Sequence, residues 1–172
     1  MRFNVAQLLK SVTGTSKWYD VDEDITAIDG TLDIIKPLTG RVRFIRSGKG
    51  ILVTGHLRTE VLVPCRRCLT PVAVTVELDL EEEFHPSVDI ITGAVLPAQE
   101  GEDKATRMDW HHILDLTEVI RQNLLLAMPM SVLCSPDCRG LCPTCGANLN
   151  EGPCNCQQQE GDPRLAALRD LL

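Results

Sequence analysis

Cysteine is the residue whose number and spacing most clearly predict chemistry in this sequence, because eight thiols fall into two groups. The smaller group is Cys65 and Cys68, in the stretch Cys-Arg-Arg-Cys. The larger group is crowded into residues 134–156 and consists of Cys134, Cys138, Cys142, Cys145, Cys154 and Cys156. Few residues in this segment are large and apolar, so it cannot build a hydrophobic core. Metal ions or disulfides must therefore hold it together.

The sequence favours metal over disulfides. It has no N-terminal apolar run long enough for a signal peptide and no run of about 18 apolar residues. We therefore expect a cytoplasmic protein without a membrane segment, in which clustered cysteines are typically metal ligands. Zn²⁺ favours a tetrahedral cage of thiolates, and a Cys-x2-Cys stretch presents two sulfurs to one ion. All eight cysteines are thus predicted to bind two structural zinc ions. An iron–sulfur cluster is the alternative, although the ferredoxin spacings are absent.

Two divisions of the cysteines between the two sites are open at this stage. In the first, the four cysteines between residues 142 and 156 form a local site, and the pair at 134 and 138 joins the pair at 65 and 68. In the second, the two Cys-x2-Cys pairs share one ion, as in a zinc ribbon. The first is favoured because a short loop costs less entropy to close than a long one.

Long β-type segments precede the cysteine-rich segment and must position the first cysteine pair. Residues 31–45, 51–64 and 69–84 are rich in Val, Leu and Ile. The last segment alternates apolar and polar residues, which is typical of a strand with one buried face. Short connections, including a glycine turn at 46–50, predict an antiparallel meander, either open or curled toward a barrel.

Two helices are predicted after the meander. Asp-Leu-Thr-Glu at 115–118 has the pattern of a capping box, and the apolar stripe that follows predicts a helix over 116–128. This helix should end before Pro129. Asp-Pro at 162–163 opens a second short helix within residues 161–172.

These elements together predict an α+β protein, in which one helix of the C-terminal half packs on the meander. The predicted organisation is a β-rich body over residues 1–131, a zinc-binding segment over 132–160 and a terminal helix over 161–172. One metal site is expected to connect the zinc-binding segment to the body.

The charge of the chain favours a protein partner over naked RNA. The formal net charge is −7 and aromatic residues make up 3% of the sequence, whereas RNA binding depends on cations and stacking aromatics. Basic residues do occur along the meander, and the sequence leaves open whether they share one face of the sheet and contact RNA. They are Arg41, Arg43, Arg46, Lys49, Arg58, Arg66 and Arg67.

Several stretches resemble one protein family. The most specific are Val-Pro-Cys-Arg-Arg-Cys-Leu at 63–69 and Cys-Arg-Gly-Leu-Cys-Pro-Thr-Cys-Gly-Ala-Asn-Leu-Asn at 138–150. Others are at 3–9, 19–21, 115–129 and 162–168. This pattern resembles the YceD family, the large ribosomal RNA subunit accumulation proteins.

The resemblance implies a role in the accumulation and processing of large-subunit ribosomal RNA, and it transfers no catalytic residue. We therefore expect a non-catalytic ribosome-biogenesis factor with a ribosomal or ribosome-assembly protein as partner and no small-molecule substrate. The alternative is a thiol redox or zinc-responsive regulatory protein. It is suggested by the pair Cys65 and Cys68, because two adjacent arginines would lower a thiol pKa.

Overall fold

The computed structural model describes residues 1–98, 101 and 103–156. The predicted helix over 161–172 lies outside the described residues. Among the residues described, the regular elements in chain order are β1 (Arg2–Asn4), α1 (Ala6–Leu9), β2 (Ser16–Glu23), β3 (Asp33–Ile34), β4 (Leu38–Arg46), β5 (Ile51–Pro64), β6 (Pro71–Phe84), a short 3₁₀ turn (Lys104–Thr106), β7 (Ile113–Asp115) and α2 (Thr117–Ala127).

The chain divides into two compact units. The first unit consists of residues 1–63 and 73–130, and the second takes residues 64–72 together with the described residues from 131 onward. The turn with the first cysteine pair therefore belongs to the same unit as the cysteine-rich segment.

The main sheet of the first unit is antiparallel wherever its register is defined. β4 pairs with β2 on one side and with β5 on the other, while β3 pairs with the end of β5. β6 also pairs with β5, and β1 and β7 form a separate two-stranded sheet. Within the described residues the main sheet is open, so the barrel-like alternative is wrong. β2 lies at one end of the strand order, and among the strands described here it pairs only with β4.

The hydrophobic core of the first unit lies on one face of this sheet. Tyr19 is opposite Val42, and Phe44 is opposite Val53, so these side chains point to the same face. The rings of Phe3, Tyr19 and Phe44 contact one another with centroids 4.7 to 5.0 Å apart. Phe44 is fully buried, whereas Phe3 and Tyr19 are partly buried. A fully buried side chain of this size contributes about 1.5–3 kcal/mol relative to its exposed state.

β6 and α2 complete this core. Val76, Leu78 and Leu80 are buried while the residues between them are exposed, as the alternation in sequence predicted. α2 adds Val119 and Ile120 to the same buried cluster. An antiparallel sheet with one main helix is therefore confirmed.

Two local predictions differ from the structure. The segment predicted as one strand over residues 31–45 is divided into β3 and β4, and Pro37, which has no N–H to donate to a ladder, lies in the gap. The capping box is incomplete, because Asp115 Oδ1 accepts from Thr117 N–H at 2.9 Å but Glu118 pairs with Arg121 at 2.7 Å. α2 accordingly begins one residue later than predicted.

The register shows that basic residues share the solvent face of the sheet. Arg43 is opposite Thr54 and Thr39 is opposite Arg58, which puts both arginines on the face away from the core. Arg43 also lies over the ring of Trp18, with its guanidinium carbon 5.6 Å from the centroid. Acidic residues on this face compete for the cations, as in the ion pair of Arg41 with Asp20 at 2.9 Å.

Candidate metal centres

The first candidate centre, called site 1, brings together Cys65, Cys68, Cys134 and Cys138. All four sulfurs lie within 4.8 Å of one another. Cys65 and Cys68 are held by the tight turn between β5 and β6, in which Cys65 N–H donates to Thr70 O and Leu69 N–H donates to Cys65 O, both at 2.9 Å.

The second candidate centre, called site 2, brings together Cys142, Cys145, Cys154 and Cys156, also with all sulfurs within 4.8 Å. Here the turn is formed by Gly146 N–H, which donates to Cys142 O at 2.9 Å. Gly146 has φ +74°, a conformation that a residue with a side chain adopts rarely, so glycine suits this turn. The structure thus groups the cysteines as the first of the two divisions drawn from the sequence.

The spacing of the sulfurs fits a metal ion better than a disulfide. The Sγ atoms of Cys65 and Cys138 are 3.9 Å apart, and those of Cys68 and Cys134 are 3.4 Å apart. A disulfide requires about 2.05 Å. Four sulfurs at about 2.3 Å from a tetrahedral ion are separated by about 3.8 Å from one another. Both clusters therefore have the geometry and the donor set that could hold metal ions.

Backbone N–H groups stabilise the thiolate form of one cysteine in each turn. Burial alone would raise the pKa of Cys65, but the N–H groups of Cys68, Arg67 and Cys134 lower it to about 6. In site 2, the N–H groups of Cys145 and Thr144 lower the pKa of Cys142 to about 6. Such donors offset part of the negative charge of the thiolate, so less of that charge remains for a bound cation to neutralise.

Other thiols of the same clusters hold their protons more tightly. Hydrogen bonds to Cys68 and Cys138 raise the pKa of Cys134 to about 12, and a hydrogen bond to Cys145 raises that of Cys156 to about 12. Four thiols at this separation cannot all ionise alone, because each new thiolate repels the others. A divalent cation at the centre of the cluster would remove that repulsion.

The two sites differ in burial. In site 1 three of the four cysteines are buried, and Val72, Leu133 and Leu141 pack beside them. In site 2 only Cys142 is buried, while Cys145 is exposed. Site 1 is therefore the more enclosed of the two.

Site 1 connects two segments that are distant in sequence. Arg66 N–H donates to Val132 O at 2.9 Å, and the Arg67 guanidinium donates to Cys138 O at 2.8 Å. Arg67 O in turn accepts from Leu141 N–H at 3.2 Å. Residues 64–72 and the chain from 131 are thus joined by hydrogen bonds as well as by the thiol cluster.

Sequence reasoning missed two residues that contact the sulfurs. Thr70 Oγ1 lies 3.3 Å from Cys68 Sγ, and Asn150 Nδ2 lies 3.3 Å from Cys138 Sγ. The position of Thr70 two residues after Cys68 is a signal that could have identified it. Asn150 is twelve residues from Cys138 along the chain, and nothing in their spacing indicates the contact.

A comparison with protein families matches residues 53–172 to the model described as large ribosomal RNA subunit accumulation protein YceD. The chain belongs to the YceD family. The match covers both candidate metal centres. No solved structure matches the chain.

Relatives of this YceD chain occur in bacteria and plants. An uncharacterized protein of Mycobacterium tuberculosis is 35% identical over 125 residues, which are 72% of this chain and 56% of the relative. The chloroplastic large ribosomal RNA subunit accumulation protein YCED homolog 1 of Arabidopsis thaliana is 29% identical over 163 residues, 83% of this chain and 49% of the relative. The uncharacterized protein YlbN of Bacillus subtilis is 26% identical over 152 residues, 87% of this chain and 82% of the relative.

The chain thus spans about half the length of the mycobacterial and plant relatives that it matches. A ribosome-related role is supported at the level of the family. None of the helices in the described part of the chain is long and apolar enough to cross a membrane.

Proposed function

We propose that this protein is a non-catalytic ribosome-biogenesis factor that supports the accumulation and processing of large-subunit ribosomal RNA. The family match carries the ribosomal part of this proposal. The plant relatives, whose names refer to large ribosomal RNA subunit accumulation, support it further. A cytoplasmic location is part of this proposal, because clustered thiols stay reduced and free to bind metal in that compartment.

Two structural zinc ions, one in each site, are the second part of the proposal. It is supported by the four clustered sulfurs of each site, a donor set that Zn²⁺ favours. A centre closed by four thiolates has no position left for a reactive water, so it serves structure rather than hydrolysis. Zinc binding at such a site supplies about 10–16 kcal/mol of apparent free energy, which is comparable to the stability of a whole domain.

A basic ribosomal or ribosome-assembly protein is the partner that the charge favours. The formal net charge of −7 attracts basic proteins and repels naked RNA. Loading each site joins four thiolates to one dication, which makes the protein more acidic still.

The ribosomal role is tested by deleting the gene and measuring the ratio of mature large-subunit to small-subunit ribosomal RNA. We expect this ratio to fall, to recover with the wild-type gene and to recover less with Cys68→Ser, which removes a sulfur from site 1. An unchanged ratio in the deletion strain would contradict the role.

A thiol redox or zinc-responsive regulator is the second candidate. The lowered pKa of Cys65, about 6, favours it, because the thiolate is the reactive form of cysteine. Alkylation of freshly purified, metal-loaded protein separates the two candidates. A structural zinc ligand at Cys65 resists alkylation, whereas a redox thiol is modified rapidly.

A further inference from the structure

Asn150 contacts site 1, although it lies between the cysteines of site 2 in sequence. Its Nδ2 donates to Cys138 Sγ at 3.3 Å, and its Oδ1 accepts from Arg139 N–H at 2.8 Å. Because a backbone N–H can only donate, the atom that faces Arg139 must be the amide oxygen, and the amide nitrogen must face the sulfur. The orientation of the Asn150 amide is therefore matched to Arg139 N–H and to Cys138 Sγ.

A short antiparallel ribbon places Asn150 at this position. Residues 140–142 run beside residues 147–149, and Cys142 N–H donates to Ala147 O at 2.8 Å. Cys142 of site 2 follows Cys138 of site 1 by four positions in the chain, so their Cα atoms are at most about 14 Å apart. The ribbon thus contains Cys142 of site 2, and Cys138 of site 1 lies two positions before the start of the ribbon.

The segment that holds Asn150 also leads to the last two cysteines of site 2. Asn148 Oδ1 accepts from both the backbone N–H and the Nδ2 of Asn150, at 3.1 and 2.9 Å, which closes a turn at the end of the ribbon. Cys154 and Cys156 follow this turn. Any constraint on Asn150 therefore reduces the conformational freedom of the segment that carries the sulfurs of Cys154 and Cys156.

We propose that Asn150 couples the two metal centres, so that loading of site 1 favours loading of site 2. This inference rests on the proposed zinc binding. A metal-bound Cys138 is a thiolate, and a thiolate accepts a stronger hydrogen bond than a thiol. The stronger bond fixes Asn150 and the turn after it, which lowers the entropy that Cys154 and Cys156 lose when site 2 closes. Coupling of this kind is reciprocal, so an occupied site 2 also strengthens site 1.

The difference in burial gives this coupling an order. Site 1 is enclosed by apolar neighbours, whereas three of the four cysteines of site 2 are at least partly exposed. Site 2 is therefore the centre that gains most from an ordered ribbon. We expect it to fill second and to empty first.

The coupling is tested by titrating metal-free protein with Zn²⁺ and counting bound ions by native mass spectrometry. In the wild type, the singly loaded species should be scarce, because the first ion favours the second. Asn150→Asp keeps the acceptor for Arg139 N–H but removes the donor to Cys138. We expect Asn150→Asp and Asn150→Ala to make the singly loaded species accumulate. The zinc affinity of site 2 should fall about 10- to 100-fold, as is typical when a residue that orients metal ligands is replaced.

Asn155→Ala is the matched control. Asn155 lies between Cys154 and Cys156, is exposed and makes no side-chain hydrogen bond within the described residues. It should titrate like the wild type. If the Asn150 variants also titrate like the wild type, or if the wild type fills its two sites independently, the coupling is refuted while zinc binding stands.

A double-variant experiment identifies the route of the coupling. Cys134→Ser weakens site 1 without touching the ribbon, and it should lower the zinc affinity of site 2 about tenfold. In protein that already carries Asn150→Ala, Cys134→Ser should have no further effect on site 2. A second tenfold loss of zinc affinity at site 2 would show that the two sites are coupled without Asn150. A wild type that binds no zinc at all would instead contradict the proposed function.

Discussion

At the scale of single residues, backbone N–H groups hold the sulfurs where a metal ion needs them. Arg67 N–H lies 3.5 Å from Cys65 Sγ, and Thr144 N–H lies 3.4 Å from Cys142 Sγ. These donors belong to the same tight turns as the cysteines, so the fold of each turn brings the N–H group to the sulfur. Thiolate formation is therefore favoured by the local backbone as well as by the cation.

Asp115 is a carboxylate of the first unit whose lowered pKa predicts a pH effect on stability. Burial opposes its ionisation, but hydrogen bonds from Thr117 and Arg2 lower its pKa from 3.8 to about 2. A lowered pKa adds stability above pH 4, and this stability is lost as the pH falls toward 2. Asp115→Asn should lower the free energy of unfolding at pH 7 by about 1 kcal/mol, since the side chain is 39% exposed and solvent screens part of the effect.

This effect is measured by urea denaturation followed by tryptophan fluorescence, because Trp18 and Trp110 both belong to the first unit. The difference in the free energy of unfolding between wild type and Asp115→Asn should become smaller as the pH falls from 4 to 2. Asp22→Asn is the control, since Asp22 is exposed and has no ion pair within the described residues. A difference that is independent of pH would contradict this account of Asp115.

At the scale of elements, two glycines allow β4 and β5 to approach closely. A Cβ on Gly55 would lie 2.7 Å from Arg41 O and 2.8 Å from a methyl carbon of Val42. A Cβ on Gly40 would lie 2.3 Å from His56 O. Both contacts are closer than packed atoms allow, so the sheet tolerates only glycine at these points.

Gly55→Ala should therefore destabilise the first unit by about 1–3 kcal/mol, the usual cost of overpacking. Gly48→Ala is the control, because nothing lies within 4 Å of a Cβ at that position and its φ is not positive. Thermal unfolding of both variants measures the difference. Equal melting temperatures would contradict the close approach of the two strands.

The sequence predicts the position and the buried face of several strands, because these features depend on residues that are close together in the chain. The predicted strand over 51–64 agrees with β5, and alternation identified the buried face of β6. The shared face of Arg43 and Arg58 depends on the register of two strands, which periodicity does not define. In the same way, the spacing of the cysteines predicts two sites. The contact of Asn150 with Cys138 depends instead on how residues 140–142 pair with residues 147–149.

At the scale of the whole molecule, the two units differ in what stabilises them. The first unit has an extensive buried cluster of apolar side chains. Among the residues that the structure describes, the corresponding cluster of the second unit consists of Cys65, Cys68 and Cys138, with three partly buried apolar neighbours. A core of this size cannot offset the entropy of ordering these residues, so we expect the second unit to depend on the proposed metal ions.

Chelation should therefore affect the two units differently. With a strong chelator, we expect all eight thiols to become open to alkylation while the tryptophan fluorescence of the first unit keeps its native spectrum. Mass spectrometry counts the alkylated thiols in the same sample. Thiols that stay protected after complete metal removal would contradict the metal dependence of the second unit.

Native mass spectrometry of freshly purified protein is the sharpest test of whether this chain binds two zinc ions, because it counts bound ions without disturbing the fold. We expect a mass that exceeds that of the chain by two zinc ions, and the loss of both ions when a chelator is added. A metal-free mass, with the thiols free or joined in disulfides and the second unit still folded, would contradict this expectation.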